Sequence, residues 1–390
     1  MRIQTLNTAV LAALLALAGQ AHAAQSLLPP TAGDQVSSRL AILPAPAAAI
    51  ERKPVTFAWT LDPAQNLLPP APLQASSREY WQTVDAAELA KGVSLPTTAE
   101  GALIRISPAA GAAGLQDAAI SVSNGQRGIA IARQADAQAL LKAGMPVSPG
   151  TQVLRLGAGS GAGHAVLRAS NARGKYVVHV FEPNSDVLLQ AQPARNAMLA
   201  GQAMRVPVSA SRAGAATAAQ AQALLVAPDG SSTPVRVRTG RQGELEAVFT
   251  PPLGTNHGQG LWELQVFAMV GDAPRDVRTA FAVAQPTAGF TGRVDAQADL
   301  QVDVAVRAAS PGRYEARGTL YATGPDGKLH PVIQAHSATW MEAGQHALSL
   351  PFSKANLPAG YGAPFEVRQL ELHDQSRMAP LEIRARGIRF

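Results

Sequence analysis

The sequence predicts a mainly β protein: an N-terminal β-rich domain with two short helices, followed by two tandem immunoglobulin-like β-sandwiches. Three observations carry that expectation. The frame Pro-Asp-Gly-x-x-x-Pro-Val occurs at residues 228–235 and again at 325–332. Each copy has an apolar run before it (Leu224, Leu225, Val226; Leu320, Tyr321, Ala322) and β-branched residues after it (Val235, Val237; Val332, Ile333). Pro presets φ, Asp tolerates the next turn position and Gly supplies positive φ, so each frame reads as the turn of a hairpin. Second, later landmarks keep step. The two frames lie 97 residues apart, Gly243 and Gly344 lie 101 apart, and Trp262-Glu263-Leu264 and Phe365-Glu366-Val367 lie 103 apart. A duplicated unit of about 100 residues made of short strands is the size of one immunoglobulin-like sandwich. Third, 34 Gly and 29 Pro punctuate the 390 residues too often for long helices, while a hydrophobic fraction of 47% is that of a globular chain.

Taken in order, residues 1–23 read as a secretory signal peptide. Arg2 gives a positive start, residues 9–18 are unbroken apolar, and Ala21-His22-Ala23 offers a small-x-small cleavage pattern. The apolar run is shorter than the roughly 20 residues that span a bilayer, and no later stretch reaches that length, so no transmembrane segment is expected. The expectation is export, to the periplasm or beyond. The chain has no Cys, which rules out disulfides and leaves each domain to hold by burial alone. Residues 24–54 are rich in Ala and Pro and predict an extended arm.

Residues 55–186 form the expected N-terminal domain. Val55-Thr56-Phe57-Ala58-Trp59 alternates, predicting a strand with Val55, Phe57 and Trp59 facing inward. Asp85 as N-cap, Glu88 three residues on, the Val84/Leu89 staple and Gly92 predict a helix; Asp136 to Lys142, stopped by Gly144, predicts another. Further strands are expected at 102–106, 129–132, 153–156, 165–167 and 176–181, with Asn124-Gly125 as a turn. Residues 187–286 and 287–390 each carry six or seven strand candidates, and Pro286 suits the boundary because it removes a ladder donor.

Charge excludes one class of function. The net charge is +6, yet the basic residues are scattered and no nucleic-acid motif appears, so no nucleic-acid partner is expected. Arg236, Arg238 and Arg241, and Arg384, Arg386 and Arg389, are expected on solvated strand faces. The Gly-rich stretch 157–163, with Gly157, Gly159, Gly161 and Gly163, resembles a nucleotide loop but feeds a strand pattern rather than a helix, and no Lys follows it. A hairpin loop is expected there instead. The histidines form no close pair on a helix face, and Asp295, Asp299 and Asp303 lack a calcium loop's pattern, so no metal and no cofactor are expected. His residues are expected to be mostly solvated. Tyr80-Trp81 is a candidate anchor for carbohydrate or protein, set against an ordinary core role.

Ser77-Arg78-Glu79-Tyr80-Trp81, Leu89 to Leu95 and residues 101–108 resemble the opening domain of a secreted bacterial family known as domain of unknown function 4785. Gly312-Arg313-Tyr314, Leu320-Tyr321-Ala322 and Pro325-Asp326-Gly327 are similar to an immunoglobulin-like module of exported bacterial proteins. These motifs are structural, so the resemblance implies an exported three-domain architecture and no catalytic residues. Two function classes follow: a non-catalytic exported binding or structural protein, with a protein, glycan or envelope component as partner, or a hydrolase with a site in the N-terminal domain.

Overall fold

A computed structural model describes residues 25–390 except Pro69, Pro70, Asp117, Ala118, Gln126, Ala158, Gln242 and Gln259. The expected leader lies outside the described residues. The protein is mainly β and has three apolar cores, each closed between sheets.

In the C-terminal unit one sheet runs Val55–Thr60, Leu329–Met341, Gly312–Thr323, Gly362–Asp374, Ala379–Arg389. The facing sheet runs Gln25–Ser26, Ala288–Ala296, Val302–Ala308, Gly344–Leu350. Tyr314, Leu320, Ile333, Leu350, Val367 and Leu372 fill the space between them. The middle unit repeats this order. Ser232–Thr239, Ala219–Val226, Trp262–Val270 and Ala273–Ala284 correspond to Leu329–Met341, Gly312–Thr323, Gly362–Asp374 and Ala379–Arg389; Val187–Ala191, Met204–Arg212 and Leu245–Phe249 correspond to the other sheet. One strand is placed differently. Ser232–Thr239 pairs with Ala219–Val226 up to Val235 and with Leu245–Phe249 from Arg236, so it changes sheet midway. Both Pro-Asp-Gly frames turn hairpins in the same way. Gly230 and Gly327 stand at φ 82 and 73, and Asp229 and Asp326 each accept the amide two residues on, from Ser231 and Lys328.

The N-terminal unit packs the sheet Glu79–Asp85, Lys175–Phe181, Leu103–Pro108, Gln152–Leu156, Ile131–Asp136 against Val93–Thr97, Gly163–Ala169, Ile120–Asn124, Arg127–Gly128. Its two helices, Ala86–Lys91 and Ala137–Lys142, start at the expected caps: Asp85 and Glu88 form a reciprocal capping box, and Asp136 accepts from the Ala139 amide. Leu89 is fully buried.

The first residues depart from expectation. Residues 25–60 belong structurally to the C-terminal unit. Gln25–Ser26 pairs with Ala288–Ala296, Leu28 N donates to Gly387 O, Gln35 bridges Ile383, and Ala41 N donates to Pro286 O. The arm is extended, as its composition implied, but it is bonded to the unit at intervals between Gln25 and Pro44 and buries Leu27 and Ala41. Val55–Thr60 then pairs with Leu329–Met341 rather than with any strand of the N-terminal unit. Its large residues point outward: Val55, Phe57 and Trp59 are 43, 47 and 41% exposed, while Ala58 packs on the core. Alternation was correct about the strand and silent about which face meets a core. Likewise Ala75–Ser77 adds to the middle unit's sheet.

The N-terminal and middle units meet at a buried ion pair. Arg275 and Glu182 are both fully buried, with Nη2 and Oε2 2.6 Å apart. Thr98 N and Ala99 N also donate to Glu182, and the Arg275 guanidinium donates to Thr98, Ser185 and the carbonyls of Val187 and Pro274. Every charge there is compensated, as a dry junction requires.

Candidate functional site

The outer face of the C-terminal unit's larger sheet gathers the exposed aromatic residues. The strands set them in register: Phe57 lies opposite His336, which lies opposite Arg317, which lies opposite Glu371. Phe57, Trp59 and the His336 imidazole form a cluster of near-parallel rings, with centroids 5.1 Å (Phe57 to His336), 5.1 Å (Trp59 to His336) and 5.7 Å (Phe57 to Trp59) apart. Small residues on the other face of that strand, Thr56, Ala58 and Thr60, leave the core to its neighbours and the rings to the surface.

Behind the rings lies a row of paired polar groups. His336 Nδ1 donates to Glu315, whose second oxygen accepts Gln375 Nε2 at 2.9 Å. Glu371 accepts Arg317 at 2.6 Å and His373 at 2.8 Å. The His336 hydrogen bond holds the Glu315 carboxyl below the usual range. Burial pushes Glu371 up, but His373 and Arg317 outweigh it and leave that carboxyl lowered. Both carboxylates therefore stay ionised and fixed by donors at neutral pH. A rigid face of apolar rings beside oriented carboxylate, imidazole, amide and guanidinium groups can stack on an apolar ring face and hydrogen-bond its substituents. The segment after the strand borders this face, since Pro63 O contacts His330 Nδ1 at 3.3 Å and Leu67 O accepts Gln369 Nε2 at 2.8 Å.

Of the two roles weighed for Tyr80 and Trp81, the structure shows the packed one. Tyr80 is buried and donates to Pro96 O. Trp81 is clamped at the junction with the middle unit: its amide donates to Asp276 at 2.8 Å, Arg278 lies 3.9 Å over its ring, and Phe267 meets it edge-on. Burial, first, pushes the Asp276 carboxyl up to about 6. The 157–163 stretch is a crossover between the two N-terminal sheets rather than a hairpin loop, because Gln152–Leu156 and Gly163–Ala169 lie in different sheets. It is tied down by Gly157 N to Ala130 O and by Thr97 Oγ1 to Gly161 O; its Ala158 lies outside the described residues. Gly159, Gly161 and Gly163 all have positive φ, which explains their residue type without a phosphate.

The histidines also differ from expectation. His179, His257, His330, His336 and His373 each pair with a carboxylate, from Glu79, Asp229, Asp326, Glu315 and Glu371. These pairs come from cross-strand register, which spacing along the chain does not display. Arg384, expected in solvent, is buried on Glu382 and Leu28 O because the arm covers its strand. Arg236 and Arg238 are exposed as expected.

Catalytic geometry is thin among the described residues. Ser94 Oγ lies 3.2 Å from His164 Nδ1 on an exposed surface, with no carboxylate paired to that ring among the described residues. At the middle unit's hairpin, Ser231 and His257 both donate to Asp229 rather than lining up Ser to His to Asp. No cluster of three metal-ligating side chains and no helix long and apolar enough to cross a membrane occurs among the described residues. An open depression lined by Arg105, Ser107, Pro146, Val147 and Ser148 offers no acid and base in reach of each other.

Comparison with known proteins agrees with the architecture. No curated protein matches the chain. A crystal structure of a DUF4785 family protein from Legionella pneumophila subsp. pneumophila str. Philadelphia 1 is similar over 93% of this chain and 98% of that one, with TM-score 0.70 at 18% identity. At that identity the likeness is one of fold. Trypsin-activated alpha-2-macroglobulin from Escherichia coli is matched at TM-score 0.21 and 14% identity, over 74% of this chain and 22% of that one, too weakly to carry an argument. Residues 46–182 match the domain of unknown function (DUF4785) N-terminal domain, and residues 287–390 match its C-terminal domain. With both terminal domains present across well over half of its length, the chain belongs to the DUF4785 family.

Proposed function

We propose that this protein is exported and acts as a non-catalytic binding protein that holds a glycan on the outer face of its C-terminal sheet. The observation that carries the reading is the exposed, near-parallel Phe57 and Trp59 pair set beside the fixed Glu315, Arg317, Glu371 and His373 groups. The apolar face of a pyranose matches an aromatic ring, and its hydroxyls match carboxylate and guanidinium groups already held in place, so little ordering entropy is lost on binding. The rings stand on strands rather than on loops, which keeps the platform rigid.

The test is a screen of envelope and extracellular glycans followed by calorimetric titration. A hit should lose affinity by at least about tenfold, or 1.4 kcal/mol, in the Phe57→Ala/Trp59→Ala double variant, with its melting temperature unchanged. Equal affinity in that variant would remove the face from consideration. Export has its own check: mass spectrometry of the protein recovered from the envelope or medium should show a chain beginning at Ala24, and a retained segment 1–23 contradicts the leader.

A further inference from the structure

The Val55–Thr60 strand is an outer edge of its sheet, bonded on one side to Leu329–Met341, with no strand on the other side among the described residues. Folded proteins blunt such edges with charge, proline, a bulge or a covering segment, because free N–H and C=O groups template pairing with another chain. This molecule uses those devices elsewhere. The arm covers the opposite edge of the same sheet through Leu28, Asp34 and Gln35. In the N-terminal unit the edge strands carry Pro96 in one sheet and Arg133 and Asp136 in the other. Within Val55–Thr60 there is none, Pro54 standing just before it: Val-Thr-Phe-Ala-Trp-Thr is uncharged, β-branched and aromatic, and its six pairs with the neighbouring strand run without a bulge.

The strand is also complementary to itself. Set antiparallel about Phe57, two copies bring Phe57 opposite Phe57 of the second copy and Val55 opposite Trp59 of the second copy, twice. These are aromatic–aromatic and aromatic–β-branched pairs, the cross-strand pairs that stabilise antiparallel ribbons. The flanks agree in charge. Arg52 precedes the strand and Asp62 follows it, both exposed, and the same register sets Arg52 of each copy, which also lies 3.8 Å from its own Glu342, opposite Asp62 of the other. A parallel arrangement would set like charges side by side. Because Val55, Phe57 and Trp59 share one face, this register also keeps both sandwiches on the same side of the joined sheet.

We propose that the protein forms a two-fold symmetric dimer by antiparallel pairing of Val55–Thr60 with the same strand of a second copy about Phe57. Two five-stranded sheets join into one continuous sheet whose outer face carries both ring clusters side by side. The contact is isologous, so it closes at two copies rather than growing into a fibre. The strand is only about 20 Å long, so main-chain hydrogen bonds supply most of the attraction and the dimer is concentration-dependent. The dimer does not depend on the glycan reading, since it uses the strand's edge and leaves the face open.

Sedimentation equilibrium of the full-length protein should show the mass rising from one chain toward two with concentration. A one-chain mass up to the solubility limit overturns the proposal. Because the chain has no Cys, single introduced thiols report register cleanly. In the proposed register the Phe57→Cys thiols face each other at the ~4.5–5.5 Å Cα separation of opposed residues, within disulfide reach. Val55→Cys thiols lie about 13 Å apart, four residues out of register, but face Trp59→Cys of the other copy. On mild oxidation Phe57→Cys should give a linked dimer, Val55→Cys alone should not, and a mixture of the Val55→Cys and Trp59→Cys variants should give a mixed dimer. Equal linking of Phe57→Cys and Val55→Cys means random collision and overturns the register; a melting curve like the parent's confirms that each variant is folded.

Discussion

Gly327 sits at φ 73 with open space where a Cβ would stand, so the obstacle to any other residue there is backbone strain alone. Gly327→Val should destabilise the C-terminal unit by about 1 kcal/mol or more, read as a lowered melting temperature; an unchanged value contradicts the turn geometry. Asp276 makes a prediction about pH. Its carboxyl is pushed up to about 6 from 3.8, chiefly by burial, so the folded state holds a proton that the unfolded chain gives up. The contribution of this group to stability is fully present below the ordinary carboxylate range and is lost as pH rises through about 6. Asp276→Asn keeps an acceptor for the Trp81 amide and stays neutral. It should therefore raise stability at pH 7.5, by about 1 kcal/mol after allowing for solvent screening, and leave it nearly unchanged at pH 4. A parallel pH profile in the variant and the parent would contradict this. Arg275 and Glu182 behave in the opposite way, because neither tolerates loss of the other. Arg275→Met should cost about 3–5 kcal/mol, measured by chemical denaturation.

At the scale of elements, what could be read in advance was whatever local chemistry decides. The Asp85 and Asp136 caps specify their helices, since capping needs only neighbours three residues away. The two Pro-Asp-Gly hairpins follow from turn chemistry for the same reason. Val55–Thr60 was legible as a strand but not as the edge of a sheet whose other members begin more than 250 residues later. A signal was present in the small residues Thr56, Ala58 and Thr60 opposite three large apolar ones, and in the charged flanks. Alternation alone cannot say which face meets a core. The polar row behind the rings depends wholly on cross-strand register, so Glu315, Arg317, Glu371 and His373 could not be singled out from spacing. The arm teaches the same lesson, because its Ala- and Pro-rich composition gave its extended shape but not the sandwich edges it covers. Since Leu27 completes that core and Leu28 to Gln35 close its edge, removing residues 25–44 should lower the C-terminal unit's melting temperature and expose its Ala379–Arg389 edge to aggregation.

Over the whole molecule the two tandem units share a strand order but not a surface. The middle unit's first sheet edge is taken by Ala75–Ser77 and its Ala273–Ala284 strand meets the N-terminal unit at Trp81 and Glu182. That strand is committed to holding the chain together, while Ser232–Thr239 keeps Arg236 and Arg238 exposed. In the C-terminal unit the arm covers the Ala379–Arg389 edge and pairs with Ala288–Ala296, while Phe57 and Trp59 on Val55–Thr60 remain exposed. The glycan reading assigns recognition to these rings, in the C-terminal unit alone. Hydrogen exchange with and without a glycan selected by screening tests this most directly. The account predicts that protection appears in residues 55–60, 315–317, 334–336 and 371–375 and nowhere in the N-terminal unit. Protection centred on the Arg105 to Ser148 depression, or on the 157–163 crossover, would contradict it.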